Sequence, residues 1–79
     1  MIASEILKSY AAEKLTSCRR SVGDERQAQI AANFATEDLV QTYRQYVRQL
    51  GEQYALGVIT AELEDVQRAN QVAAERVNA

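Results

Sequence analysis

The chain has 79 residues, of which 47% are hydrophobic and 25% charged, with a formal charge of −2, no histidine, no proline and one cysteine. A chain this short buries only about 60 to 65% of the surface its unfolded form exposes, which argues against a two-domain or cleft-forming enzyme. The small negative charge argues against generic attraction to nucleic acid or anionic lipid, and a lone Cys18 leaves no internal disulfide and fits a reducing compartment.

Thirteen of the apolar residues are alanines, which favour helix but bury little area. The larger core candidates are leucine, isoleucine and valine, helped by Phe34 and four tyrosines, so burial against a second copy or another protein is expected to supplement the core. No apolar run approaches 18 residues, and the N-terminus has neither the basic start nor the apolar run of a signal peptide. The expectation is a single helical domain over residues 1–79, cytoplasmic and without a membrane partner.

The first helix is predicted over 5–21. Ser4 is placed to cap it and Glu5 suits the positive end of its dipole. Leu7, Ala11, Leu15, Cys18 and Val22 recur at spacings of 4, 4, 3 and 4, one face of a helix of period 3.6, widened by Ile6 and Tyr10. Arg19 and Arg20 fall in the last turn, where cations are favoured, and Gly23 offers a stop. Asp24 begins the next segment, with Gln27 three residues on in a capping-box pattern. A helix over 25–35 then turns Ile30, Ala31 and Phe34 to one side. Thr36, followed by Glu37 and Asp38, has the chemistry of a second cap. Because alanine, asparagine and threonine all permit continuation, one long helix over 24–56 is the competing reading.

From Leu39 the stripe is Leu39, Tyr43, Val47, Leu50 and Tyr54, with Gln41, Arg44, Gln45, Arg48 and Glu52 on the opposite, wet face, in a helix over 37–56. Gly51 costs that helix about 1 kcal/mol relative to alanine and hints at close approach by a neighbour. Gly57 can end it, Val58 and Ile59 can tuck into the core, and Thr60 can cap a last helix over 61–77. The seam of that helix is Leu63, Val66, Asn70, Ala73 and Val77, with Glu62, Glu64 and Asp65 near its start. The fold class is therefore all-α: a small bundle of three major helices, four if the chain breaks at Thr36, completed by self-association.

The run LGEQYALGVITAELE, residues 50–64, resembles the short helical hairpin called SHOCT, in which a glycine, an aliphatic pair and a Ser/Thr precede an acidic helix start. The resemblance implies a small interaction or oligomerisation hairpin with no catalytic residues.

A helix-turn-helix reading of residues 25–50 rests on Ile30-Ala31, Phe34, Leu39-Val40 and Thr36, with 25–35 as the supporting helix and 37–50 as the reading helix. Ala35 stands where such motifs commonly carry glycine, and Glu37 and Asp38 occupy the helix end that must approach phosphates. In that alternative Lys8, Lys14, Arg19, Arg20, Arg44 and Arg48 supply the nucleic-acid contacts.

Catalysis is not expected. The commonest general base is missing, Cys18 lies on an apolar stripe, and the carboxylates near helix starts already have an electrostatic role. No cysteine–histidine cluster or acidic loop suggests a metal, and no glycine-rich loop suggests a phosphate cofactor. The leading expectation is a non-enzymatic, self-associating protein–protein interaction module, an adaptor, assembly or regulatory accessory protein whose partner the residues do not name. Its contact residues would be Tyr46, Arg44, Arg48, Gln41, Gln45 and Asn70. Tyrosine is common at the centres of interfaces, and an asparagine within a helical seam can set register or oligomeric state.

Overall fold

A computed structural model describes residues 2–78 as three helices, α1 (Ala3–Ser21), α2 (Glu25–Leu50) and α3 (Glu52–Asn78), each packed on the other two. The described residues contain no strand, and the all-α bundle of three major helices is the expected one. The outer dimensions, 42 × 26 × 16 Å, follow from the helix lengths: at 1.5 Å per residue α2 and α3 each span about 40 Å.

α1 begins at Ala3 with Ile2 as N-cap and no side-chain cap bond, so Ser4 sits inside the first turn rather than capping it. Glu5 lies in the first turn and Arg19 and Arg20 in the last, each favourable to the dipole. A short connection, Val22 to Asp24, leads to α2, where Asp24 Oδ1 accepts the Arg26 backbone N–H at 3.2 Å, the cap its position suggested. The connection is clipped from outside: Arg19 Nε donates to both Glu25 carboxylate oxygens, at 3.1 and 2.9 Å, and Nη2 to Oε1 at 2.6 Å. That bond, and then the guanidinium charge, hold the Glu25 carboxyl below its ordinary value, and the Arg19 guanidinium is raised in turn. Both side chains face solvent, so water screens the pair and it registers the turn more than it stabilises the fold.

α2 does not break at Thr36. The Thr36 hydroxyl donates to the Ala32 carbonyl at 2.8 Å, satisfying itself within the helix instead of capping a new one. The separate helices expected over 25–35 and 37–56 are thus one element ending at Leu50.

The second turn falls at Gly51, not at Gly57. Gly51 has φ 95° and ψ 163°, a conformation reached almost only by glycine. Its N–H reaches the Tyr46 and Val47 carbonyls at 3.1 and 3.2 Å, and its carbonyl accepts the Ala55 N–H at 3.2 Å. One residue therefore closes α2 and opens α3. No atom lies within 4 Å of where a Gly51 Cβ would stand, so this glycine serves the turn and not a close helix approach. Gly57 and Thr60, expected as stop and cap, are interior residues of α3, and the SHOCT-like hairpin over 50–64 is replaced by a one-residue turn and the first half of an uninterrupted helix.

The core is narrow. Ile6 and Tyr10 from α1, Leu39 from α2, and Ile59, Leu63 and Val66 from α3 form the buried cluster, with Ala3, Leu7, Tyr43 and Leu56 packed against it. Among the described residues Ile59 is the one larger side chain that is fully enclosed. Along α1 the buried line runs through Ile6 and Tyr10, whereas Leu7, Ala11, Leu15, Cys18 and Val22, expected at its centre, are half-buried at its side. In α3 the expected seam holds at Leu63, Val66, Asn70 and Ala73 and extends back through Ile59 and Ala55; the Val77 side chain lies outside the described set. In α2, Ala28 and Ala32 are buried, so much of this long helix meets its neighbours through methyl groups.

Candidate functional site

The phase of α2 decides what its outer face carries. Leu39 faces the core, and because the helix is unbroken the same face runs back through Ala35 and Thr36 to Ala32 and Ala28. Ile30 and Phe34 then lie about 200° around the helix from Ala32, pointing away from the bundle. Phe34 is 70% exposed and Ile30 39%. Both were expected to pack inward, and the reason is physical: a break at Thr36 would have freed residues 25–35 to choose their own phase, and they would have buried their largest side chains. The unbroken helix forbids that choice. Projecting the Leu39 periodicity backwards through an uninterrupted helix was the signal that could have found this face.

The outer face continues toward the C-terminal end as two rows of seven-residue spacing, Ile30–Glu37–Arg44 and Phe34–Gln41–Arg48. Except for Ile30 and Phe34 the rows are polar, and all six residues are exposed. Ile30, Asn33, Phe34 and Glu37 line one shallow depression; Tyr43, Arg44, Val47 and Arg48 line another about 18 Å along the helix. Among the described residues the ion pairs are Arg19–Glu25 and Arg68–Asp65, and none of these residues pairs with Glu37, Arg44 or Arg48. Arg44 and Arg48 stand one turn apart, a like-charge spacing that weakly destabilises a lone helix.

The other expected contact residues divide. Gln45 is exposed beside Gln41. Tyr46 is half-buried, its ring centroid 5.4 Å from that of Tyr54 and tilted by 51°, so it braces the α2–α3 turn across Gly51. Leu50 and Tyr54 are exposed at that end rather than continuing the Leu39 stripe, because the helix stops between them. Asn70 lies in the seam between α1 and α3, where Nδ2 donates to the Glu13 carbonyl at 2.9 Å and approaches Glu13 Oε2 at 3.3 Å. Its Oδ1 is buried without a partner. Asn70 is half-buried and bonds within the chain.

The helix-turn-helix geometry is not present in residues 25–50, because no turn separates two helices there. Of the basic set drawn from α1, Lys8 and Arg20 are exposed, Lys14 is half-buried and Arg19 is engaged by Glu25. Glu37 and Asp38 lie in mid-helix, away from any helix N-terminus.

A third open depression, where α1, α2 and α3 meet, is lined by Tyr10, Asp38, Thr42, Val58 and Glu62. Burial, followed by the charges of Glu62, Cys18 and Asp38, raises the Tyr10 phenol above its ordinary value. Cys18 is a half-buried free thiol. Among the described residues no three His, Cys, Asp or Glu side chains are grouped to hold a metal ion, and no helix is long and apolar enough to cross a membrane. No family model, curated protein or solved structure matches the chain.

Proposed function

We propose that this chain works by contact, as a small helical interaction module whose binding surface is the outer face of α2. The observation that carries this reading is Phe34, 70% exposed one turn beyond an exposed Ile30, on the side of the helix that faces nothing in the bundle. Single exposed apolar residues are ordinary, but a phenylalanine and an isoleucine sharing one depression make a patch. Seating Phe34 in a partner would contribute about 2 kcal/mol. The flanking Gln41, Arg44, Gln45 and Arg48 supply the polar surround such a patch needs. Adaptor, assembly and accessory roles all operate through a face of this kind, and none requires a reactive group.

Photocrosslinking tests the reading. A photoreactive residue at Gln41 in the cell of origin is expected to give a protein adduct that disappears when Phe34→Asp is introduced, while the same probe at Gln67 on the exposed side of α3 gives none. An adduct from Gln41 that survives Phe34→Asp, or no adduct from Gln41 at all, would refute it.

A further inference from the structure

We infer that the partner of the α2 outer face is a second copy of this chain, docked antiparallel along α2 about a two-fold axis beside Gln41. This rests on the contact reading above and names the occupant of that same face. Reversing one copy brings complementary residues from the two rows together. In the row Ile30–Glu37–Arg44, a two-fold near residues 40 and 41 sets Glu37 opposite Arg44 of the partner subunit, and by symmetry the reverse. In the row Phe34–Gln41–Arg48, the same operation lays Phe34 under Arg48 of the partner subunit and pairs Gln41 with its own mate. A guanidinium over a phenyl ring is an attractive arrangement, and its aliphatic stem covers the apolar face beside it.

Charge selects this arrangement over its alternative. In a parallel pair Glu37 would oppose Glu37, Arg44 would oppose Arg44 and Arg48 would oppose Arg48, three repulsive contacts in place of attractive ones. The antiparallel pair also removes the two unsatisfied features of the single chain. It sets Glu37 of the partner subunit beside the Arg44–Arg48 like-charge step, which makes no ion pair among the described residues, and it covers Phe34. One helix pair makes a small interface, so the dimer belongs to the weak, reversible class.

Sedimentation equilibrium of the purified chain from about 1 µM to about 1 mM, the range in which weak complexes form, is the test. The wild type is expected to pass from monomer to dimer. Glu37→Arg and Arg44→Glu, each striking two symmetry-related contacts, are each expected to raise the dissociation constant about tenfold or more. The double variant carrying both exchanges is expected to return it to within about threefold of wild type, because the charge pairs are restored with reversed sign. Both positions of substitution are exposed, and circular dichroism checks that each variant remains helical. A wild type that stays monomeric throughout overturns the second-copy assignment while leaving the photocrosslinking result free to identify a different protein. A dimer indifferent to the single exchanges, or one that the double exchange fails to restore, overturns the antiparallel register.

Discussion

The same edit at two glycines should act in opposite directions. Gly51→Ala places a Cβ on a backbone at φ 95° and ψ 163°, which L-residues avoid at a cost of about 1 to 3 kcal/mol. Open space surrounds the position, so no packing gain or clash offsets or adds to that figure, and a loss of about 2 kcal/mol is expected. Gly57→Ala lies inside α3 with equally open surroundings, and there alanine improves helix propensity by about 1 kcal/mol. With an unfolding entropy of about 2.1 cal/mol/K per residue, 1 kcal/mol moves the midpoint of a chain this long by about 6 °C. Thermal unfolding followed by circular dichroism, at one low protein concentration so that association does not contribute, should show Gly51→Ala melting about 12 °C lower and Gly57→Ala about 6 °C higher. A neutral or stabilising Gly51→Ala, or a destabilising Gly57→Ala, would contradict a turn at Gly51 between α2 and α3.

Further outcomes follow from the burial pattern. Phe34→Ala should change the unfolding free energy of the dilute chain, measured by urea titration, by less than about 0.5 kcal/mol, while Ile59→Ala in the enclosed centre should cost about 3 kcal/mol; similar losses at both would return Phe34 to the core. Asn70→Leu should raise thermal stability by about 1 kcal/mol, since it removes a buried Oδ1 that has no partner and leaves the Glu13 carbonyl in its helix. It should leave the association state unchanged, because Asn70 bonds within the chain, and a lower melting temperature would contradict this. For Tyr10 the raised phenol value fixes the sign of the alkaline response. The stabilisation is complete below the ordinary tyrosine value of about 10 and is lost as pH rises through the elevated folded value, since the unfolded chain ionises first. Urea midpoints between about pH 8 and pH 11 should therefore fall less steeply in Tyr10→Phe, and parallel slopes would show that the phenol is not held neutral by the fold.

What the chain determines by itself is everything governed within a few residues. Alanine-rich composition, the absence of proline and the 3.6-residue period specify helix throughout, Asp24 caps where its carboxylate can reach an orphan N–H, and Leu63, Val66, Asn70 and Ala73 define one face of α3. Three things depend on tertiary structure. Gly51 and Gly57 are equivalent as local stop signals, and apolar periodicity runs through both. A turn at Gly51 divides the chain into packed helices of nearly equal length, 26 and 27 residues, whereas a turn at Gly57 would leave a long α2 beside a short α3. Whether Thr36 caps or continues is likewise undecided locally, because its hydroxyl can serve a new helix or bond back to Ala32, and the continuous helix that packs on both neighbours takes the second option. Once α2 is unbroken, Leu39 in the core sets the phase of every residue before it. Ala28 and Ala32 then turn inward and Phe34 outward, against the ranking by hydrophobicity, because a rigid helix cannot rotate one half independently of the other.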